Sequence, residues 1–547
     1  MARSIVTTLS LLLLLAAPLA AASNELGQID FPNSGAPAAQ DAFIRGVLLL
    51  HSFEYPDARE AFQEAQKIDP AFALAYWGEA MTHNHTLWRQ QDREAALAAL
   101  ARFAPTAEER LAKTPTERER GFMRAIELLY GEGDKVARDV AYSEAMADLS
   151  ARHPDDLEAR SFYALSILGT TQGTRDFSVY MRAGAVTEEI FDANPLHPGA
   201  VHYMIHSYDD PVHAPLGLRA ARVYAKIAPA ASHAQHMISH IYVALGRWAD
   251  SVDANVRAVD VSIERRKRKE LGPDAVSYHA LHWLAYSYHQ LGRFDEARAK
   301  LDMMTAFANE SGSATALWHH AAMRAAWIVE TNGREAPAEI RTDETQVSGA
   351  AAALFATGYS SLLAGDREAA AMAADHLAVR HEAAASGHHC GMSGGMADTS
   401  DLDLEAAEVM RKSLLALIGL DRGNAEQALA LMDEATAAED AMPLEYGPPT
   451  IVKPSHELYG EVLMRLGRPD EARAQFEKAL QRAPRRSLSL AGLATAAKAM
   501  GDDAARDGAC AELRTNYSRA DESVRLPEAC GAGSDAARAK TADVSGR

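Results

Sequence analysis

The sequence predicts an all-α protein built from stacked helical hairpins, an α-solenoid. Apolar residues recur at i, i+3, i+4 and i+7 through almost all of the chain after residue 38, which is the spacing of an amphipathic helix. Runs of β-branched residues, which favour strands, are scarce. The segments His202–His206 and His236–His240 read alike and begin 34 residues apart, which is typical of a repeated helix–turn–helix unit.

The first 22 residues predict a cleaved secretory signal peptide. Arg3 supplies a positive charge, Ile5 to Ala16 form a short apolar run, and small alanine-rich residues follow. An uncleaved N-terminal anchor is the alternative. No other stretch approaches the roughly 18 consecutive apolar residues of a membrane-spanning helix. We therefore expect a periplasmic or secreted protein with no stable membrane insertion after signal cleavage.

Three stretches of the chain share one order of small, apolar and aromatic residues. The stretch that starts at Ala39 carries Gly46, Leu49, Ala58, Phe62, Ala65 and Pro70. The stretch that starts at Tyr278 carries Ala285, Tyr288, Ala297, Leu301 and Met304. The stretch that starts at Lys453 carries Gly460, Leu463, Ala472, Phe476, Ala479 and Pro484. Small residues at fixed intervals indicate helices that pack closely in the same way in each stretch.

This order of residues resembles the tetratricopeptide repeat (TPR) superfamily, whose 34-residue units place small or aromatic residues at these positions. The resemblance covers most of residues 39–520. It implies weaker units that start near Ala73, Met123, Leu157, Pro198, Ser232, Gly312, Ala351, Val409 and Ser487. It also implies that the first helix of each unit lines the concave side of the stack, where a protein or peptide partner binds.

Two interruptions divide the array. Residues 333–350 are polar, and residues 386–402 are rich in glycine and serine. We place a boundary near residue 340. It separates an N-terminal TPR-like solenoid at 39–332 from a C-terminal one at 351–520, and residues 531–547 follow as a disordered tail.

The three cysteines have separate interpretations. Cys510 and Cys530 lie close together in sequence, and an exported protein can oxidise them to a disulfide. Cys390 lies beside His388 and His389 in the glycine-rich loop, a mixture that would suit a soft ion such as Cu(I). A flexible linker with incidental residues is the alternative interpretation of that loop.

The TPR register places many histidines on the groove side of the central units, residues 198–325. His202 and His206, like His236 and His240, are spaced i, i+4 and therefore share one face of a helix. First helices of neighbouring units pack about 8–10 Å apart, so imidazoles from adjacent helices can converge on one point. The predicted ligand-groove residues that accompany them are Asp209, Asp210, Trp283, Tyr286, His289 and His320.

Convergent neutral imidazoles beside a carboxylate are ligands that suit Zn²⁺, Cu²⁺, Ni²⁺ and Fe²⁺. We therefore predict a transition-metal site, with zinc or copper as the candidate ions. Its candidate ligands are His202, His206, His213, His233, His236, His240, His279 and His282. Two other interpretations stay open. The groove could hydrogen-bond a peptide or small polar ligand without metal, or the imidazoles could only satisfy the ends of broken helices.

Charge and missing motifs narrow the function further. A net charge of −20 argues against nucleic acid and against an anionic membrane surface. The zinc-peptidase motif H-E-x-x-H and the haem-attachment motif C-x-x-C-H are absent. The leading hypothesis is an exported protein that acts by binding, through a metal ion in the groove. A metal-free scaffold for a protein or peptide is the second, and a metal-dependent hydrolase with Asp209 or Asp210 as base is the third.

Overall fold

The computed structural model describes residues 25–171, 175–333, 343, 345–386, 399–444 and 447–531. Within this part of the chain there are 24 α-helices and one short antiparallel hairpin of two strands. The predicted all-α architecture of stacked helical hairpins is therefore confirmed. The predicted signal peptide, Cys390 with its neighbouring histidines, and the tail from residue 532 lie outside the described residues.

The helices follow one another with short connections. The N-terminal third contains α1 (Gln40–His51), α2 (Tyr55–Ile68), α3 (Ala73–Met81), β1 (Asn84–His85), β2 (Gln90–Gln91), α4 (Arg93–Phe103), α5 (Ala107–Lys113), α6 (Glu117–Leu129), α7 (Lys135–Arg152), α8 (Leu157–Gly169) and α9 (Phe177–Ala193). The central third contains α10 (Pro198–Tyr208), α11 (Ala214–Ile227), α12 (Ser232–Ala244), α13 (Trp248–Arg268), α14 (Tyr278–Gln290), α15 (Phe294–Ser311) and α16 (Ala314–Glu330). The last third contains α17 (Val347–Leu363), α18 (Arg367–Ala385), α19 (Asp401–Asp421), α20 (Ala425–Ala441), α21 (Ser455–Arg465), α22 (Pro469–Arg482), α23 (Ser487–Met500) and α24 (Asp503–Asn516).

Neighbouring hairpins pack closely because glycines let their helices approach a bulky ring. The ring of Phe62 on α2 lies against Gly46 on α1 and Gly78 on α3, and a Cβ added at either glycine would lie within 2.8 Å of that ring. The ring of Phe476 on α22 meets glycines of α21 and α23 in the same way. The two ends of the array thus follow the same packing rule, as their shared sequence pattern predicts.

The stack winds tightly enough for its first hairpin to contact the central ones. Helix α1 packs against α10. The Tyr224 hydroxyl on α11 donates a hydrogen bond to Ser52 Oγ at 3.2 Å. The Glu54 carboxylate accepts the backbone N–H of His233 at 3.0 Å. Residues about 180 positions apart in sequence therefore lie side by side at the N-terminal end of α12.

The C-terminal hairpins also return to the central ones. The Trp248 indole N–H on α13 donates to the backbone carbonyl of Arg485 at 3.1 Å. The backbone N–H of Ser487 donates to Gln290 Oε1 at 2.9 Å. The largest hydrophobic core consequently runs from Val243 to Ala496, on both sides of the boundary that the sequence predicts near residue 340.

This winding changes the expected groove. The sequence predicts an open concave surface lined by histidines, whereas His202 and His236 are at most 1% exposed. The first hairpin covers one side of the central helices, and the C-terminal hairpins pack on another part of them. The histidine-bearing side is therefore an interior of the molecule and not an open channel.

Two further features bear on the predictions from sequence. Cys510 on α24 and Cys530 in the following turn form a disulfide, as the sequence suggests. Among the described residues, no helix combines the length and the apolar character that crossing a membrane would require.

Candidate metal centre

Helix α10 presents two of the predicted ligands and begins and ends for local reasons. The ring nitrogen of His197 accepts the backbone N–H of Ala200 at 3.2 Å, which caps the first turn. His202 and His206 follow one turn apart on the same face of the helix. The helix ends at Tyr208, because Pro211 cannot continue it.

The first group of imidazoles, called cluster A here, consists of His202, His206 and His233. One nitrogen from each ring lies within 4.8 Å of the others. The Nε2 atoms of His202 and His233 are 3.2 Å apart. His233 comes from the first turn of α12, where Glu54 holds its backbone. Cluster A is thus shared between two consecutive hairpins.

The second group, called cluster B, consists of His236, His240 and His279. Their ligand nitrogens also lie within 4.8 Å of one another. The Nε2 atoms of His236 and His240 are 3.0 Å apart, and the His279 ring centroid lies 4.6 Å from that of His236. Helices α12 and α14 therefore supply a second three-histidine group beside the first.

Asp209 joins the two clusters. Its Oδ2 accepts from Nδ1 of His206 at 3.2 Å and from Nδ1 of His240 at 3.0 Å. Its other oxygen accepts from the Arg175 guanidinium at 2.6 Å. Burial would raise the pKa of Asp209, but the Arg175 charge and the hydrogen bonds from the histidines outweigh it and hold the pKa well below 3.8. One buried carboxylate thus orients an imidazole of each cluster.

The hydrogen bonds also define which ring nitrogen carries the proton. Nδ1 of His202 lies 2.6 Å from the backbone carbonyl of His51, and Nδ1 of His236 lies 2.7 Å from Asn255 Oδ1. Asn255 donates its amide to the Ser251 carbonyl, which places its oxygen toward His236. A carbonyl, an amide oxygen and a carboxylate can only accept, so Nδ1 is the protonated nitrogen in these rings. The lone pair then lies on Nε2.

Burial holds five of the six imidazoles neutral. Burial, reinforced by the neighbouring rings, lowers the pKa of His202, His233 and His236 well below 6.5. Burial lowers the pKa of His240 to about 4, against the opposing effect of Asp209. It lowers the pKa of His279 to about 3. Neutral imidazole is the form that binds a metal ion.

Aromatic rings enclose the clusters. The Trp283 ring stacks on His240 with centroids 4.5 Å apart. Phe53 lies on cluster A, with its ring 4.3 Å from that of His202, and holds a left-handed backbone with φ of 54°. Trp88, in the turn between β1 and β2, lies 5.7 Å from His233 and is 43% exposed. The centre therefore has apolar walls and lies nearest to solvent at His233 and His279, which are only partly buried.

Several residues that the sequence assigns to the site lie outside both clusters. His213 Nδ1 pairs with the Asp210 carboxylate at 3.0 Å, and Asp210 also accepts from Arg175. His282, one turn after His279 on α14, lies next to α16, where its Nδ1 is 3.4 Å from Nδ1 of His319. These residues surround the centre without contributing a nitrogen to it.

The remaining groove residues lie further along the molecule. The Tyr286 hydroxyl accepts from Arg486 at 2.9 Å. His289 packs against Trp327, with ring centroids 5.8 Å apart. His320 lies on α16, beyond the described ligand groups. The register alone could not separate these residues from the ligands, because it gives a helix face and not a distance.

A third group was missed by sequence reasoning. His51, Glu158 and His197 converge from α1, α8 and the start of α10. Glu158 accepts from Nε2 of His51 at 2.8 Å and lies 3.1 Å from Nε2 of His197. Burial opposes ionisation of Glu158, but the two histidines lower its pKa to about 2. No periodic signal links these residues, since only the winding of the chain brings α1 to α10.

Parts of the chain are similar to known repeat proteins. Tetratricopeptide repeat family models match residues 278–302 and 454–486. Solved structures with similarity include the APC/C hetero-tetramer Cut9–Hcn1, at 10% identity over 89% of this chain and 76% of that chain, with a TM-score of 0.31. Yeast Tom70 matches at 11% identity over 92% and 96% of the two chains, with a TM-score of 0.26. Human IFIT1 with m7Gppp-AAAA matches at 12% identity over 90% and 91%, with a TM-score of 0.33.

The fold and the family models together define the class of protein. No curated protein matches the sequence. The two matched hairpins are parts of one array of helical hairpins that extends over the described chain. The chain is thus an all-α solenoid that contains tetratricopeptide repeats at residues 278–302 and 454–486.

Proposed function

We propose that this TPR protein is a metalloprotein that holds two transition-metal ions side by side, one at cluster A and one at cluster B. Zinc and copper are the ions that the imidazole ligands favour. The observation that carries the proposal is the contact between His236 and His240. Their Nε2 atoms face each other at 3.0 Å, while both Nδ1 atoms point to hydrogen-bond acceptors.

Two neutral imidazoles that face each other in this way bring two lone pairs together. A cation between them removes the repulsion. Two nitrogens bound to one tetrahedral zinc ion at about 2.0–2.1 Å lie about 3.3 Å apart, close to the separations seen in both clusters. The surrounding hydrogen bonds resemble those that orient metal-bound histidines in proteins, where a carboxylate or carbonyl accepts from the second ring nitrogen.

Each cluster supplies three ligands. Structural zinc sites are closed by four protein ligands, whereas sites that bind a further molecule keep one position for it. Three histidines at each ion therefore support a centre that binds or activates a small ligand over a purely structural one. A metal-dependent enzyme belongs within this proposal.

Protein partners are the second candidate function. TPR scaffolds commonly bind proteins or peptides through their helix surfaces, and the outer surfaces of this solenoid are compatible with such a partner. A peptide that binds over the two clusters would contact His233 and His279, because these two rings are partly exposed and the other four histidines are buried. We also propose an exported location, on the signal-like composition of residues 1–22.

Elemental analysis of the untagged protein tests the metal proposal. The wild-type protein, purified from its native compartment, should contain about two equivalents of metal, one for each three-histidine site. His233→Gln and His279→Gln should each retain about one equivalent, because each variant removes a ligand from one cluster only. Both side chains lie at the rim, so the substitutions should preserve the helical circular dichroism spectrum.

His213→Gln is the matched control, since His213 lies on the same side of the molecule but pairs with Asp210. It should keep both ions. No metal in the wild-type protein, with no uptake on titration with zinc or copper, would overturn the proposal and leave partner binding as the function. Equal loss in the control would show that the variants act through the fold.

A further inference from the structure

With a metal ion at each cluster, the centre would carry a positive charge that the surrounding side chains do not cancel. Imidazole binds a metal ion as a neutral ligand, so the six histidines add no negative charge. The neighbouring carboxylates are Asp209, Asp210 and Glu54, and the Arg175 guanidinium lies against the first two. Two divalent ions would leave an excess of roughly two positive charges in a buried site, which is costly unless an anion joins them.

The carboxylates cannot take that position as they are arranged. Asp209 is occupied by two histidines and Arg175. Asp210 is held by Arg175 and His213. Glu54 caps the start of α12 at His233. These three carboxylates of the described residues are thus already engaged, and an anion from solution would supply the missing charge.

One cleft reaches the centre from the surface. It has a volume of about 570 Å³, counting its open mouth, and its inner wall includes His206 and Asp209. Leu87, Thr171, Arg89 and Arg175 also line it. Arg175 is paired with Asp209 and Asp210, and Arg89 is the cation toward which a small anion would be drawn along the cleft.

Arg89 is placed there by an unusual piece of backbone. The β1–β2 hairpin is the one two-stranded element in the described chain, and Arg89 follows its central turn with a left-handed φ of 58°. A left-handed backbone is uncommon for a residue other than glycine. Arg89 thus lines the cleft from a turn that lies outside the regular helical hairpins.

We infer that the loaded centre binds a small anion, an inorganic ion or a carboxylate, as a further metal ligand, and that this anion enters through the cleft beside Arg89. The inference rests on the proposed function, because the anion is held by the metal. Cluster A would hold the ion through three nitrogens, and a fourth ligand from solution could reach it because the cleft borders His206.

Azide titration of the copper-loaded protein tests this inference. Azide bound to Cu²⁺ gives a charge-transfer absorption band, and a saturable band should appear in the wild-type protein. Arg89→Gln should weaken the apparent affinity by about three- to fivefold, since one partly screened charge contributes up to about 1 kcal/mol. Leu87→Trp should slow the appearance of the band by narrowing the cleft, and Leu363→Trp, at an exposed site on α17, should not.

The outcomes separate this inference from the proposed function. Copper uptake without an azide band would overturn the anion site and leave the metal centre intact. A band that forms equally fast in Leu87→Trp and Leu363→Trp would overturn the assigned path. Failure to take up copper at all would overturn the proposed function and the anion site with it.

Discussion

At the residue scale, Asp209 is the side chain that contacts a histidine of each cluster. It follows the last residue of α10, where Pro211 stops the helix and the backbone turns. This turn brings its carboxylate under His206 of the same helix and under His240 of the next hairpin. Pro211, which ends the helix, therefore also determines where the Asp209 carboxylate lies.

Asp209→Asn should lower the affinity of both clusters for zinc by about 10–100-fold, the usual effect of losing the partner of a metal-bound histidine. The amide keeps one weak acceptor and loses the negative charge that both Nδ1–H groups need. Zinc affinity is measured by competition with a chromophoric chelator.

Asp210→Asn is the control for this change, because it shares Arg175 but contacts neither cluster. It should leave zinc affinity near the wild-type value. Equal affinities for the two variants would show that Asp209 does not orient the ligands.

At the element scale, α10 and α12 are equivalent helices of consecutive hairpins, and the sequence predicts much of their role. The 34-residue spacing and the i, i+4 pairs predict that four histidines share one side, and the structure places them there. The third ligand of each group, His233 or His279, follows from the same register. The helix face of each histidine could be predicted because it depends only on residue spacing along the local sequence.

The partners of those histidines could not be predicted in the same way. His202 uses the carbonyl of His51, 151 residues away, whereas His236 uses Asn255 of its own hairpin. His282 and His289 occupy the same register as the ligands but turn toward α16. Distances between hairpins depend on how tightly the stack winds, and side-chain packing over long sequence separations sets that winding.

The packing of α2 against α13 offers a test of the winding. Asp57 accepts from Lys269 at 2.9 Å and from Arg265, across more than 200 residues of sequence. Burial would raise the pKa of Asp57, but the hydrogen bonds and charges of these two cations outweigh it and lower the pKa below 3.8. The carboxylate therefore stabilises the fold above its ordinary pKa, and this stability is lost as the pH falls through the lowered value.

Asp57→Asn should consequently reduce the free energy of unfolding at pH 7 by about 1 kcal/mol. The difference from wild type should shrink as the pH falls below 3.8. Urea unfolding at several pH values and constant metal content measures both. A difference that does not depend on pH would contradict the ion-pair explanation.

At the scale of the whole molecule, a buried cation connects the C-terminal hairpins with the central ones. Arg486 is fully buried between Glu330 and Glu457 and also donates to Tyr286. These contacts join α14, α16, α21 and the start of α23. A simple stack in which each hairpin contacts only its neighbours would not contain them.

Arg486→Ala should reduce the free energy of unfolding by about 3–5 kcal/mol, because it leaves two carboxylates buried without their cation. Thermal unfolding of the variant measures the loss. Arg506→Ala, at an exposed ion pair on α24, should unfold close to the wild-type temperature. A similar temperature for both variants would show that the central and C-terminal hairpins are held together by other contacts.

The contact of the C-terminal hairpins with the central ones also bears on the order in which the site forms. Pro443 and Leu444 form part of the wall of the cleft that ends at His206. Synthesis delivers the histidine-bearing hairpins before these residues, and domains tend to fold from the N-terminus as they emerge. The ligands therefore exist before the wall that later limits access to them. If the proposed centre binds metal, the ions available during biogenesis, and not only those around the finished protein, would then decide which ion it holds.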